Sequence, residues 1–179
     1  MVDRLILVGM MGAGKTTVGR LLADRLGWRS LDSDAQIMED TGHTVPELFA
    51  ERGEAAFRAE EERVLSEALS GDEPVVVSAA GGVVLSSSNR ALLARSGTVV
   101  WLRADPVVLA GRVGDGSGRP LLDDDPASSL VALYEVRRPL YDSVASLTVD
   151  VDALTPDEVV ERILVGTGLM AGTGGAPCR

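Results

Sequence analysis

Gly9-Met10-Met11-Gly12-Ala13-Gly14-Lys15-Thr16 fits the spacing G-x-x-x-x-G-K-[ST], a pattern whose parts each have a task at a phosphate. Glycines let successive backbone N–H groups turn inward onto anionic oxygens, and a helix opening just after them adds positive potential. The Lys15 ammonium can then reach the outer phosphates, and the Thr16 hydroxyl can ligate Mg²⁺. Of the 17 basic residues 16 are arginine and the single lysine is Lys15. A chain that writes Arg wherever a generic cation will serve, yet keeps a compact ammonium here, points to a position that needs one. A dinucleotide fingerprint does not fit, because Thr17 stands where a third glycine would be required. A guanine-reading N-K-x-D element is excluded by the one asparagine, Asn89.

Other residues could serve an acceptor. Asp32 and Asp34 flank Ser33 at the end of a short strand candidate. In extended backbone they would point to the same side, one to hold Mg²⁺ through water and one to orient an attacking hydroxyl and take its proton. An isolated D-x-D is otherwise a solvated turn. Arg58 precedes Glu61 by three residues on a helical pattern, which alone is a surface ion pair of little consequence. Arg137 has the same plain reading in Arg137-Arg138-Pro139-Leu140-Tyr141, where proline ends or kinks a helix. Arg119 follows a glycine-rich stretch, where a cation on a lid can reach charge developing on a transferring phosphoryl group.

The elements that must position these groups are legible from apolar patterning. Leu5 to Val8 is a continuous apolar run expected of a strand buried on both faces, followed by Val18, Leu21, Leu22 and Leu26 at helical spacing. Further strands are expected at Val75 to Val77, Val99 to Leu102 and Leu147 to Val151, with a weaker one around Ser30 and Leu31. Thr44-Val45-Pro46-Glu47 and Thr155-Pro156-Asp157-Glu158 are capping boxes, and Asp105-Pro106 is a similar helix start. Glu54 to Ser70 places Phe57, Glu61, Val64, Leu65 and Ala68 on one face. Strands alternating with helices predict a parallel sheet covered on both sides, an α/β three-layer domain. The glycine-rich stretch 111–118 reads as a mobile loop, and the tail 166–179 as disordered.

Composition narrows the function classes. With 179 residues the chain is one domain's worth of sequence. A formal charge of -10 repels phosphate backbones and anionic lipid, so neither nucleic acid nor membrane is an expected partner. One cysteine, Cys178, and one histidine, His43, supply neither a disulfide framework nor a zinc site, and no apolar run is long enough for a membrane span. A cytoplasmic protein follows as the expectation. His43 is expected at the surface, with Trp28 and Trp101 as packing groups.

Taken in order, these segments resemble the shikimate kinase family. The resemblance runs through the P-loop at 9–16, Asp32-Ser33-Asp34, Phe57-Arg58-Ala59-Glu60-Glu61, Ala80-Gly81-Gly82, Gly118-Arg119-Pro120-Leu121-Leu122 and Arg137-Arg138-Pro139-Leu140-Tyr141, with Val149-Asp150 and Pro156 similar to the adenine-loop element. It implies a P-loop NTPase fold of the nucleoside-monophosphate-kinase type with a five-stranded parallel sheet. It also implies a single kinase domain over residues 1–165, a lid around 112–125, and a monomer. The implied activity is transfer of the ATP γ-phosphoryl group to the 3-hydroxyl of shikimate, giving 3-phosphoshikimate and ADP in aromatic amino-acid biosynthesis. Gly12, Ala13, Gly14, Lys15, Thr16, Thr17, Arg112 and Arg119 would contact the nucleotide, and Thr16 and Asp32 would hold Mg²⁺. Asp34, Arg58, Gly81, Gly82 and Arg137 would hold shikimate, and Lys15, Asp34 and Arg119 would carry catalysis. Where the family commonly has three glycines this chain has Ala80, which is tolerable if its φ is negative. The competing readings are a gluconate or nucleoside monophosphate kinase, and a nucleotide-binding regulatory module without acceptor chemistry.

Overall fold

The computed structural model describes residues 3–114, 122 and 125–169. Five strands, β1 (Arg4–Val8), β2 (Arg29–Asp32), β3 (Val75–Ser78), β4 (Thr98–Arg103) and β5 (Leu147–Asp150), form one sheet in the order β2-β3-β1-β4-β5. Every pairing is parallel. β1 and β3 are buried over nearly their whole lengths and β4 over its middle, which is why their sequences read as unbroken apolar runs. The edge strand β2 has no buried residue, so its apolar signal is faint.

The helices are α1 (Lys15–Leu26), α2 (Ser33–Thr41), α3 (Val45–Ser70), α4 (Ser87–Ser96), α5 (Pro106–Val113), α6 (Pro126–Val144) and α7 (Pro156–Thr167). The chain steps from β1 outward to β2 and then reverses for every later crossover. Right-handed connections therefore put α1 on one face and α2 to α6 on the other. The packing agrees: α1 lies against α7, while α3 meets α4, and α6 meets α4 and α5. The result is the three-layer arrangement expected. A second, smaller apolar cluster of Ile37, Leu48, Phe57 and Val64 joins α2 to α3 apart from the main core.

Helix starts follow the caps read from sequence. Thr44 and Thr155 each complete a capping box, and Asp105 accepts from the Val107 N–H. α3 is two helical pieces joined at Gly53, whose φ of 78° is non-helical. The apolar face expected from Glu54 begins just after that joint, and all five of its residues are buried.

Several expectations are corrected. Asp34 is not in extended backbone: β2 ends at Asp32, and Asp34 is in the first turn of α2. The reason is Asp32 itself, whose carboxylate accepts from the Asp34 and Ala35 N–H groups and caps that helix. Of the two readings of Pro139, ending the helix is the one that fails, since α6 continues to Val144. Gly111, Arg112 and Val113 belong to α5 rather than to a loop, and α7 runs through Thr167, past the boundary expected for the tail. His43 is half-buried, with Nε2 3.1 Å from Glu51 and Nδ1 2.7 Å from the Thr41 carbonyl. Trp101, by contrast, is the packing group expected, stacked on Tyr141 with ring centroids 5.7 Å apart. Arg119, Cys178 and most of the expected lid and tail lie outside the described residues.

Candidate active site

The C-terminal ends of β1, β3 and β2 deliver three segments to one edge of the sheet, beside the point where the strand order reverses. After β1 comes the P-loop, after β3 the turn Ala79 to Gly82, and at the end of β2 Asp32. A cleft of about 430 Å³ lies between them and α3. Gly12, Gly14, Lys15, Thr16, Thr17 and Arg112 are among the residues that line it, as are Asp34, Arg58, Gly81, Gly82 and Arg137.

At the P-loop, Gly14 has φ 90°, a conformation that L side chains rarely adopt. Having no side chain, it leaves the first N–H groups of α1 without the oxygen cap that every other described α-helix has. No acidic residue stands in that first turn. Lys15 Nζ donates to the carbonyls of Gly9 at 2.8 Å and Met10 at 3.0 Å, which holds the ammonium over the loop. Ala13 differs from its neighbours: it is buried, its N–H goes to the Met10 carbonyl at 3.3 Å, and it does not line the cleft. Arg112 donates to the carbonyls of Val151 at 3.1 Å and Asp152 at 3.3 Å, reaching from α5 to the loop after β5.

Thr16 Oγ1 donates to Asp32 Oδ2 at 2.6 Å. These are two hard oxygens beside the P-loop, and no group of three or more His, Cys, Asp or Glu residues suited to a metal occurs among the described residues. Such a donor set fits Mg²⁺, which binds few protein ligands and completes its shell with water and phosphate oxygens.

On α3, Arg58 Nη1 is 2.5 Å from Glu61 Oε2, and its Nη2 is 2.9 Å from Glu54. This is not the surface pair that spacing alone suggests, because Glu61 is buried. Burial pushes the Glu61 carboxyl above its ordinary range, and the Arg58 guanidinium only partly offsets this. For Arg58, burial opposes the charge, but Glu61 and Glu54 outweigh it and the guanidinium is held more firmly protonated than usual. Arg137 is 2% exposed. Its Nε and Glu61 Oε1 are buried without a hydrogen-bond partner among the described residues. Buried polar atoms left in this state are costly unless something polar meets them.

The glycine turn explains itself by contact. A methyl group on Gly82 would collide with Arg58 Nη1, so the arginine can lie against the backbone only because Gly82 has no side chain. Ala80 causes no strain, since among the described residues no residue other than glycine has positive φ. Its N–H donates to Ser33 Oγ at 2.8 Å.

Sequence reasoning missed three supporting groups. Ser33 is there only the spacer between two aspartates, Tyr141 only the end of a motif, and Ser78 falls just past the strand expected at Val75 to Val77. Ser78 Oγ donates to the Lys15 carbonyl at 2.9 Å. Phe49, Phe57 and Val45 add an apolar wall, and only Phe57 was singled out, as a core residue. Hydroxyls of this kind have no spacing signal, since their partners are brought close by the sheet.

Known proteins resemble this chain in sequence and in fold. The sequence profile of the family described as shikimate kinase matches residues 11–166. The shikimate kinase of Ruegeria pomeroyi is 48% identical over 162 residues, 89% of this chain and 82% of that protein. That of Thermobifida fusca is 48% identical over 158 residues, 88% of this chain and 91% of that protein. Among solved structures, the shikimate kinase from Acinetobacter baumannii in complex with shikimate superimposes with a TM-score of 0.88 at 38% identity, covering 92% of each chain. A gluconokinase from Sinorhizobium meliloti reaches 0.57 at 25% identity, covering 94% of this chain and 93% of that one. With its P-loop, its paired arginines and relatives that match it along most of their length, this chain belongs to the shikimate kinase family.

Proposed function

We propose that the protein transfers the γ-phosphoryl group of ATP to the 3-hydroxyl of shikimate, yielding 3-phosphoshikimate and ADP, and that it works as a cytoplasmic monomer. The observation that carries this reading is one cleft with a phosphate-binding loop at one end and two arginines with a carboxylate at the other. A guanidinium is shaped for a carboxylate, and two of them select a small anionic acceptor over a neutral polyol. Gluconate is also an anion, but its kinase is the more distant structural match.

In this mechanism Lys15 and the α1 N–H groups bind the β- and γ-phosphates, with phosphate oxygens taking over from the loop carbonyls that Lys15 Nζ contacts. Arg58 and Arg137 hold the acceptor carboxylate, and Glu61 keeps Arg58 in place. Asp34 orients the 3-hydroxyl, whose oxygen forms the new bond to phosphorus as the bond to the ADP oxygen breaks. The hydroxyl proton passes to Asp34 and then to water. The transition state is loose and asks little of a base, so alignment does most of the catalysis. Thr16 and Asp32 would hold Mg²⁺, which when bound neutralises charge on the phosphate oxygens.

The test is ADP release measured by a coupled assay with ATP, Mg²⁺ and either shikimate, gluconate or a nucleoside monophosphate. Turnover should require shikimate and Mg²⁺, and Arg58→Ala should raise the shikimate KM by about tenfold to a hundredfold, as loss of a charged hydrogen bond does. An unchanged KM in Arg58→Ala, or equal turnover of gluconate, would overturn the assignment.

A further inference from the structure

The turn Ala80 to Gly82 is held from several sides. The Ala80 N–H goes to Ser33 Oγ at 2.8 Å, the Ala80 carbonyl accepts from the Val83 N–H at 3.1 Å, and the Gly82 carbonyl accepts from Leu85 at 2.9 Å. The Gly81 carbonyl accepts from the hydroxyl of Tyr141 at 2.5 Å, a contact between residues 60 positions apart in the chain. With these positions taken, the N–H groups of Gly81 and Gly82 are the turn's remaining donors among the described residues, and both glycines line the cleft.

Tyr141 also reaches the other half of the site. Its hydroxyl is 3.7 Å from Met10 Sδ in the P-loop. Gly81 itself abuts that loop: a Cβ on it would lie 3.4 Å from the Gly9 carbonyl, the same oxygen that accepts from Lys15 Nζ, and 3.5 Å from Arg137 Nη1. The phenol is fully buried and its ring stacks on Trp101 of β4. Burial, only partly offset by Arg137 alongside, keeps the hydroxyl protonated far above its ordinary range, so it remains a donor at any working pH.

We propose that Tyr141 is a positioning residue for phosphoryl transfer: its hydroxyl fixes the Gly81 peptide, and with it the acceptor-side N–H groups and Arg137, at a set separation from the P-loop. The proposal rests on the acceptor reading above. A buried hydrogen bond that links two binding segments acts on their relative placement, and small misplacements of reacting groups cost large factors in rate. Its effect should therefore fall on the acceptor and on turnover, and hardly at all on ATP binding.

Tyr141→Phe tests this, because it keeps the ring and the Trp101 stacking and removes the hydroxyl alone. The kcat/KM for shikimate should drop by about tenfold or more while the ATP KM stays within about twofold. A variant that melts at a lower temperature but keeps the wild-type kcat and both KM values per folded molecule would show a structural role only and overturn the proposal. Should Tyr141→Phe not fold, Ser33→Ala releases the same turn from its other side. A loss of kcat/KM for shikimate in that variant with ATP KM retained supports the pinned-turn mechanism, and wild-type kinetics in it overturns the mechanism. Wild-type protein that fails to phosphorylate shikimate at all would instead refute the acceptor reading, so the two failures are distinguishable.

Discussion

Arg58 shows how a residue's role is decided by what surrounds it. On a helical wheel it forms an ordinary i,i+3 pair with Glu61, but in the fold its guanidinium is pressed between a buried carboxylate and the backbone of Gly82. Gly82→Ala should therefore harm both the site and the fold. The intruding methyl meets the far end of the Arg58 side chain, and an arginine that swings away leaves the buried Glu61 carboxylate without its partner. The expected outcome is a shikimate KM raised by about tenfold or more together with a lowered melting temperature. Steady-state kinetics beside thermal unfolding would check it, and an unaltered KM would show that the close approach has no bearing on binding.

Among the elements, the seam between α1 and β3 matters most, because α1 carries Lys15 and Thr16 at its first turn. A Cβ on Gly19 would run into Ser78 Oγ, the atom that ties β3 to the Lys15 carbonyl. Gly19→Ala should push the helix off the sheet, costing about 1–3 kcal/mol in a urea titration, as overpacking does, and lowering kcat along with it. Combining it with Ser78→Ala should recover part of that loss, since the two substitutions act on one contact. Strict additivity of the two changes would place the strain elsewhere. At the other end of the chain, α7 depends on its capping box: Thr155→Ala should cost about 1 kcal/mol in the same titration, with kinetics unaffected.

At the level of the whole molecule, the ionic contacts set a pH response. Asp40 is held low by its hydrogen bond from Arg63, Glu47 and Glu158 by the backbone N–H groups of Thr44 and Thr155, and Asp150 by Arg103. Each binds its proton less readily folded than unfolded. Their stabilisation is thus complete above the ordinary values of 3.8 for Asp and 4.5 for Glu and is lost as pH falls through the folded values. Glu61 works in the opposite sense, favouring the folded state at low pH and losing that contribution as pH rises through its raised value. With Asp125, held low by its hydrogen bonds from Ser128, five lowered carboxyls stand against one raised, which predicts a melting temperature that declines below about pH 4.5. Scans from about pH 7 to about pH 3 would test it, and a flat profile would show that these contacts hold no net stabilisation.

Local sequence determined a good deal. The phosphate-binding loop, the apolar central strands, the capping boxes and the alternation of strand with helix depend on residues close together in the chain, where spacing alone carries the physics. The edge strand β2 is faint because an edge position has less apolar surface to bury, and Asp34 is helical although Asp32 is extended, because a carboxylate that caps a helix looks locally like one that ends a strand. Only tertiary structure decided that Glu61 is buried, that Gly82 makes room for Arg58, and that Tyr141 reaches Gly81. Those facts arise from a parallel sheet that brings residues dozens of positions apart to one edge, and no short-range pattern records which distant group will arrive beside a given side chain.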